Sequence, residues 1–498
     1  MSYSVLYQPV LNVKMLNGER RSVGIYDAFR FAQEIDCIDE DNPLERYAVL
    51  RLLIAFAMDV YHPIGWINRQ EMLEDGSFDL ESLDHYIKEC ERVAPRFDLF
   101  DKQHPFMQAA QNAELDSKAV KPVAALSVTI PSGNNHVFLD HRLANEAAFS
   151  VPEAFRAMLT IYLFCTAGAQ GYPSGINNTP PVFVWVNGSN LYETIILNSV
   201  AQKECSQIEY GIGDVPWRKE CSIQPKEEVA TVSMLQALTW QPRRITLLYE
   251  EDGMIRNVLF QQGKNFRGNG LWFDPHVPYR MTKENGWTSL KPQSGRALWR
   301  DLGCLLLDRE GKSYRQPLVL AQVGNIIENR SAIIDVSETG LVTNNAAYLE
   351  WMEDRIALPS VFMSDQYLSF LLREDVGMVE TVNREMYKQI NKQFSTDKRH
   401  DDSLSEQASL FFLARMHDEI FGQTIPRLIS IRNELDEEKQ KEHRQWFIDQ
   451  IIAVILETFT KVVNQAGMSA AMIMKQNEAF RWTMNKVKQL RKESGETK

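Results

Sequence analysis

The strongest constraint in this 498-residue sequence is a change in character after Pro359. Beyond that point proline and glycine become scarce, and four long segments follow in which apolar residues recur every three or four positions. Such spacing puts the apolar side chains on one face of an α-helix, and consecutive helices bury those faces against one another. A capping-box pattern, Ser403-Leu-Ser-Glu406, marks the start of the second segment, and Gly467 precedes the fourth. The sequence therefore predicts a four-helix bundle over residues 361–498.

Residues 1–360 have a different pattern, in which short strand-like runs mix with helical stretches and many Gly, Pro and Asn turns. Asn17-Gly18 favours a tight hairpin turn between two strands. Pro43 begins a segment with helical spacing, which predicts an amphipathic helix that ends before His62. Residues 181–187 and 245–249 are typical of strands. Because strands and helices do not alternate regularly, we expect an α+β fold, with an irregular mixed N-terminal body over residues 1–360 followed by a C-terminal four-helix bundle.

The compartment is predicted from what the sequence lacks. Its first residues do not resemble a secretion signal, and no segment has eighteen uninterrupted apolar residues, so we expect a cytoplasmic protein that does not associate with a membrane. The six cysteines stand far apart without a Cys-x-x-Cys pair. That spacing indicates buried thiols in a reducing compartment and predicts neither a metal site nor a cofactor.

The charge of the chain argues against a protein that coats nucleic acid without specificity, because its formal net charge is -12. Basic residues are nevertheless concentrated between Gly253 and Arg300, and a local basic stretch can hold a duplex. On the last predicted helix Arg481, Lys488 and Lys492 share an outward face and are candidates for contacts to the DNA backbone. A solvated basic surface without a ligand is the alternative for both regions. The basic residues of the first region are Arg256, Lys264, Arg267, Arg280, Lys283, Lys291, Arg296 and Arg300.

Motifs for common catalytic chemistries are missing, among them the phosphate-binding loop, the nucleophile elbow and the zinc-binding His-Glu-x-x-His. His400-Asp401 and His417-Asp418 are adjacent pairs of the kind that ligate metal in phosphohydrolases, so a metal-dependent phosphohydrolase stays open as an alternative. Asp274-Pro275-His276 lacks a third ligand nearby and is typical of a packed turn. We predict no catalytic residue.

Six stretches in a fixed order span nearly the whole chain. They are residues 43–53 (PLERYAVLRLL), 104–108 (HPFMQ), 173–180 (PSGINNTP), 238–245 (LTWQPRRI), 269–278 (NGLWFDPHVP) and 342–347 (VTNNAA). Together they resemble the CasA family, the large subunit of the type I-E CRISPR surveillance complex (Cascade). The resemblance implies an α+β body with a C-terminal four-helix bundle and a subunit that is not an enzyme.

In such complexes the guide RNA reads the target by base pairing, while protein reads a short PAM in duplex DNA. The resemblance implies that this chain reads the PAM mostly from the minor groove, with a glycine loop, a lysine and a hairpin, and helps to open the strands. A narrow groove with a degenerate pattern suits small residues and a few long donors. The implied partners are the other Cascade subunits with guide RNA, target double-stranded DNA and a helicase-nuclease. A scaffold subunit without DNA contact is the remaining alternative.

The resemblance also assigns candidate residues to these elements. The lysine corresponds to Lys264, although an ungapped count from the Asn-Gly-Leu-Trp motif reaches Gly263. Family members often carry a glutamine wedge at the hairpin tip; here Ala346 occupies that position, so either a neighbour such as Asn345 takes the wedge role or strand opening works differently. Some relatives carry a cysteine cluster at the position of residues 250–253 of this chain. Because those residues are EEDG here, we expect the chain to bind no zinc. The glycine-loop candidates are Gly168, Gly171 and Gly175, the hairpin candidates are Asn344, Asn345, Ala346 and Ala347, and Arg267 is a further backbone-contact candidate.

A loop over residues 127–138 corresponds to the family segment that docks onto the complex near the 5′ end of the guide. Its Gly-Asn-Asn core suits an exposed loop that orders on binding, with an ordinary hairpin turn as the alternative. The docking candidates are Asn134, Asn135, His136 and Phe138.

Overall fold

The computed structural model describes residues 2–112, 119–130, 144–166, 172–177, 179–204, 211–218, 223–268, 270–284, 286–308, 313–327, 332–344, 347–394, 403–431 and 436–493. The chain forms two compact units, one of residues 1–298 and 311–360 and the other of residues 299–310 and 361–498. The first unit mixes helices with several small sheets, and the second is helical. This is the α+β architecture that the sequence predicts.

The first unit is built from short elements. Its helices are α1 (Ile25–Arg30), α2 (Pro43–Tyr61), α3 (Trp66–Asp75), α4 (Leu80–Glu91), α5 (Val151–Phe164), α6 (Leu191–Asn198), α7 (Met234–Leu238) and α8 (Leu318–Ile326). Its strands are β1 (Leu11–Met15), β2 (Arg20–Val23), β3 (Ile35–Ile38), β4 (Val120–Pro122), β5 (Phe149–Ser150), β6 (Phe183–Asn187), β7 (Glu228–Val229), β8 (Arg243–Tyr249), β9 (Met254–Gln262), β10 (Asn265–Phe266), β11 (Tyr279–Thr282), β12 (Gly286–Ser289), β13 (Tyr314–Arg315), β14 (Ile333–Asn344) and β15 (Ala347–Pro359).

The predicted N-terminal hairpin is confirmed. Strands β1 and β2 pair antiparallel, with Lys14 opposite Arg20, and β3 pairs with the other edge of β1. Gly18 has a φ of +86°, a conformation that glycine adopts without strain, so the Asn17-Gly18 dipeptide supplies the turn. Both ends of the helix α2 also agree with the sequence. The Asn42 side chain accepts a hydrogen bond from the Leu44 amide, and His62 ends the helix in a left-handed conformation.

The prediction that α2 is amphipathic is wrong. Leu44 and every residue from Tyr47 to Val60 are buried, including Arg51 and Asp59. The helices α4, α5, α6 and α7 and the strands β14 and β15 contact α2, so no continuous face is left for solvent. It is the central helix of the first unit, and its two charged residues depend on buried partners.

Two sheets position the candidate site. In one, β8 and β9 pair antiparallel, and β4 and β5 pair with β9. In the other, β14 lies between β15 and β6. Because β6 pairs only with residues 335–339 of β14, the remaining part of the β14–β15 hairpin extends past the end of β6. This two-stranded part, residues 340–352, is called the hairpin arm below.

The second unit is a four-helix bundle, as predicted. Its four long helices contact one another in a closed order: α10 (Gln366–Phe394), α11 (Ser403–Glu419), α13 (Glu437–Lys461) and α14 (Ala470–Glu493). Directly after Glu419, the last residue of α11, the turn Ile420–Thr424 is a π-helix, in which Ile425 donates to the carbonyl of Ile420. Pro426 lacks an amide hydrogen for the ordinary helical bond, and the wider turn accommodates it. The helices are α9 (Val361–Ser364), α10 (Gln366–Phe394), α11 (Ser403–Glu419), α12 (Ile425–Ile429), α13 (Glu437–Lys461) and α14 (Ala470–Glu493), with a short turn at Leu302–Leu305.

In the part of the chain that the structure describes, no helix taken singly has the length and apolar composition to cross a membrane. The helices α2 and α3 meet that criterion only as a pair, bent by 102°.

Candidate nucleic-acid interface

Arg243, the first residue of β8, joins two segments that are separate along the chain. The side chain is 1% exposed. Its Nη1 donates to the carbonyl of Pro173 at 2.8 Å, and its Nη2 donates to the carbonyl of Thr166 at 3.4 Å. The guanidinium also lies 5.5 Å from the centre of the Tyr172 ring. Arg243 thus holds the chain on both sides of residues 167–171, which lie outside the described residues.

Gly175 is the glycine-loop candidate that the structure describes, whereas Gly168 and Gly171 lie outside the described residues. A Cβ atom at position 175 would lie 3.7 Å from the Cys165 sulfur and 3.8 Å from the Tyr162 carbonyl oxygen, which are ordinary contacts. Local space therefore does not require glycine there. If glycine is required at position 175, the reason is the close approach of a ligand and not the packing within this chain.

The lysine candidate follows a glycine that is required by packing. A Cβ atom on Gly263 would lie 2.7 Å from the backbone of Arg243 and 2.7 Å from the carbonyl oxygen of Gln241. No side chain fits at position 263, and Lys264 stays the lysine candidate. The Lys264 amide donates to the Gln241 carbonyl at 3.0 Å, and its side chain is half-buried.

The tip of the hairpin arm lies near the same arginine. Asn344 pairs with Ala347 across the hairpin, and Tyr348 follows as a buried residue. Burial raises the pKa of Tyr348 to about 12. Cys165 adds to this effect, and Thr166 and Arg243 oppose it, so these three residues lie in the neighbourhood of the phenol. The structure thus brings together the tip of the hairpin arm, the Gly175 segment (residues 172–177) and the Lys264 segment (residues 262–266). Asn345 and Ala346 lie outside the described residues.

Sequence reasoning missed one residue of the hairpin arm, Leu349. The register pairs Val342 with Glu350 and Thr343 with Tyr348, so Leu349 is the extra residue of a β-bulge. Its side chain is 55% exposed. A bulge depends on how two strands align, so periodicity within one strand gave no signal for it.

The basic residues between Gly253 and Arg300 are divided between the two units, and several of them form ion pairs. Arg256 pairs with Glu250 and Asp252, at 2.7 and 2.6 Å. Arg267 is exposed, and its Nε lies 3.3 Å from the nearest carboxylate oxygen, that of Glu228. Arg300 belongs to the second unit, where it forms an ion pair with Glu380 on α10.

The helix α14 carries the basic face that its spacing predicts. Arg481, Lys488 and Lys492 are all exposed, whereas Val487 and Leu490 on the opposite side are buried in the bundle. Three cations on one helical face can meet successive phosphates of a nucleic-acid backbone.

The structure describes one of the two His-Asp pairs behind the hydrolase alternative. His417 and Asp418 are exposed on α11, with 3.4 Å between Nδ1 and Oδ1, and His400 and Asp401 lie outside the described residues. Within the described ranges, no group of three or more His, Cys, Asp and Glu side chains is arranged to hold a metal ion. The docking-loop candidates Asn134, Asn135, His136 and Phe138 also lie outside the described residues.

Comparisons with known proteins agree with this architecture. CRISPR-associated protein CasA/Cse1 of Thermus thermophilus is 26% identical over 321 residues, or 62% of this chain, and the match spans 61% of that curated relative. The solved Cse1 from Acidimicrobium ferrooxidans has 21% identity and a TM-score of 0.76, with 99% of each chain covered. A chain of a structure described as a CRISPR RNA-guided surveillance complex has 17% identity and a TM-score of 0.75, covering 97% of this chain and 99% of that one.

At these identities the two solved structures establish the fold alone. The family model for CRISPR-associated protein Cse1 (CRISPR_cse1) matches residues 5–454. That range includes all of the first unit except its first residues and most of the bundle. This chain therefore belongs to the CRISPR-associated protein Cse1 family.

Proposed function

We propose that this chain is the large subunit of a type I-E CRISPR RNA-guided surveillance complex, where it recognises the PAM in target double-stranded DNA and assists strand opening. It acts by binding and positioning and catalyses no covalent step. It also offers a surface that recruits the helicase-nuclease, a role that follows from family membership. Its other partners are the remaining Cascade subunits with their guide RNA.

The observation that carries the proposal is the convergence of three segments at Arg243. A minor-groove reader needs a close backbone approach, a long donor and an element that probes the base steps. Gly175, Lys264 and the hairpin arm supply these features, and their anchors lie around one buried side chain. The proposed reading group also includes Gly168, Gly171, Asn344, Asn345, Ala346 and Ala347.

The two units have different roles in this proposal. The body, residues 1–360, reads the PAM, and the loop with Asn134, Asn135, His136 and Phe138 docks it onto the complex near the guide. The bundle, residues 361–498, contacts the DNA backbone through the exposed face of α14. Arg267 adds a contact from the body to the DNA backbone, because its side chain stays exposed although it pairs with Glu228.

The test is binding of target duplexes, with and without a PAM, by complexes that contain wild-type chain, Lys264→Ala or Asn345→Ala, at fixed salt. We expect each substitution to weaken binding to PAM-bearing DNA by roughly tenfold, the value of one lost groove contact, and to leave binding to PAM-free DNA nearly unchanged.

Two matched controls are available in the same unit. Lys121 is exposed on β4 of the sheet that carries β9, and Asn17 is the asparagine of the N-terminal hairpin turn. Lys121→Ala and Asn17→Ala should retain wild-type affinity for both duplexes. If Lys264→Ala and Asn345→Ala also behave like wild type, the reading assignments fail, and a scaffold subunit without DNA contact becomes the leading account.

A further inference from the structure

We infer that Arg243 is the positioning residue of the PAM-reading group: its guanidinium sets the relative placement of the Gly175 segment, Lys264 and the hairpin arm, and PAM discrimination depends on it. The inference rests on the proposed function and adds a residue that does not itself touch DNA.

The hydrogen bonds of Arg243 point to a role in joining segments. Its Nη1 donates to the carbonyls of Pro173 and Pro242, at 2.8 and 3.1 Å, and its Nη2 donates to that of Thr166. All three acceptors are backbone atoms, and among the described residues no carboxylate pairs with this buried cation. Burying a guanidinium whose hydrogen-bond acceptors are all backbone carbonyls costs free energy of folding. The fork geometry of arginine lets one side chain hold several segments at once, which lysine cannot do.

The backbone of Arg243 fixes the lysine. Arg243 pairs with Gln262 at the end of the β8–β9 ladder. Immediately beyond it, the Gly263 amide donates to Pro242 and the Lys264 amide donates to Gln241, each at 3.0 Å. Since Gly263 packs directly against the Arg243 backbone, a shift of Arg243 moves the position from which the Lys264 side chain starts.

The charge of Arg243 also acts on Tyr348 of the hairpin arm. The Tyr348 phenol is buried near the tip of the arm, and Thr166 and Arg243 both oppose the effect of burial on its pKa. Side chains that recognise a ligand must be held within about 0.5 Å of their binding geometry by the residues that pack against them. Arg243 contacts the Gly175 segment and Gly263, and its charge acts on the hairpin arm.

The neighbouring residue provides a matched control. Arg244 is buried to a similar extent, but it donates to the Ala110 carbonyl at 2.7 Å and to Gln261 Oε1 at 3.2 Å. As the next residue of the same strand, it points to the opposite face of the sheet. Arg243→Lys and Arg244→Lys are therefore equal changes on one strand, of which only the first alters the proposed reading group.

The experiment measures the ratio of affinities for PAM-bearing and PAM-free duplexes, using complexes assembled with the full-length chain. We expect Arg243→Lys to lower this ratio about tenfold while subunit assembly, guide-RNA content and affinity for PAM-free DNA stay at wild-type values. Arg243→Gln, which also loses the charge, should lower the ratio at least as far. Arg244→Lys should leave it unchanged.

The inference is overturned if Arg243→Lys and Arg243→Gln both keep the wild-type ratio, or if Arg244→Lys lowers the ratio equally. Lys264→Ala, measured in parallel, separates this failure from a failure of the proposed function. If Lys264→Ala lowers the ratio and the Arg243 variants do not, only the positioning role is wrong. If none of these variants changes the ratio, the proposed function itself fails.

Discussion

Asp274 accepts hydrogen bonds from Nη1 and Nη2 of Arg51, at 3.1 and 2.6 Å, and neither side chain is more than 3% exposed. Asn177 donates to the same carboxylate at 3.2 Å. Burial alone would raise the pKa of Asp274, but Arg51 and the adjacent His276 outweigh it and hold that pKa well below its usual range. Arg51, Asn177 and Asp274 come from three of the stretches that resemble the family. These stretches therefore stabilise the fold of the body, whatever ligand they also bind.

Breaking the Arg51–Asp274 pair should destabilise the first unit strongly. We expect Asp274→Asn or Arg51→Met to lower the free energy of unfolding by about 3–5 kcal/mol, because each leaves a buried polar group without its partner. The double variant should recover part of this loss. Urea unfolding checks the cycle, with Arg21→Met, which removes the exposed partner of Glu19, as a control that costs less than about 1 kcal/mol. A loss under about 1 kcal/mol for Asp274→Asn would contradict the assignment.

Glu45 should make the stability of the body depend on pH. Burial raises its pKa from 4.5 to about 7, with Arg156 opposing this shift and Glu40 reinforcing it. Because the folded state holds the proton more tightly than the unfolded state, the contribution of Glu45 to stability is full below about pH 4.5 and is lost as the pH rises to about 7. The variant Glu45→Gln stays neutral, so its stability relative to wild type should rise across this window by on the order of 1–3 kcal/mol.

Urea unfolding at pH 4.5, 6 and 8 measures the Glu45 effect. Glu251→Gln, a change at an exposed turn residue, serves as the control, and its difference from wild type should be small at each pH. A difference for Glu45→Gln that does not change with pH would show that the carboxyl ionises alike in both states.

The elements that could be predicted from the sequence are those with local signals. The turn at Asn17-Gly18, the two ends of α2 and the helices of the bundle follow from residue types within a few positions of one another. The amphipathic interpretation of α2 failed because the elements that cover its second face come from distant parts of the chain. Periodicity within the helix contains no information about them.

The candidate site was predictable in its parts, and its assembly was not. The resemblance proposes Lys264 although an ungapped count reaches Gly263, and only the structure shows that Gly263 packs directly against the Arg243 backbone. The hydrogen bonds from Arg243 to Thr166 and Pro173 span about seventy residues of sequence. Leu349 became visible only through the register between β14 and β15.

Leu349 should contribute to strand opening, since Ala346 at the family's wedge position offers only a methyl group. Apolar side chains that insert between base steps unstack them, and Leu349 is an exposed leucine on the hairpin arm. We expect Leu349→Ser to slow opening about tenfold, measured by the fluorescence of 2-aminopurine beside the PAM, while initial PAM binding is retained. Ile333→Ser changes another exposed apolar residue at the far end of β14 and should open DNA at the wild-type rate. Equal rates for both variants would exclude this role.

The basic face of α14 should determine part of the salt dependence of DNA binding. Neutralising its three cations removes up to three phosphate contacts, so the slope of log affinity against log salt should become shallower by as much as ~2.7. A second set on the exposed side of α13 gives an equal change in net charge and should leave the slope near its wild-type value. If both sets reduce the slope equally, the effect comes from overall charge and α14 makes no specific contact. The α14 set is Arg481→Gln, Lys488→Gln and Lys492→Gln, and the α13 set is Lys439→Gln, Lys441→Gln and Arg444→Gln.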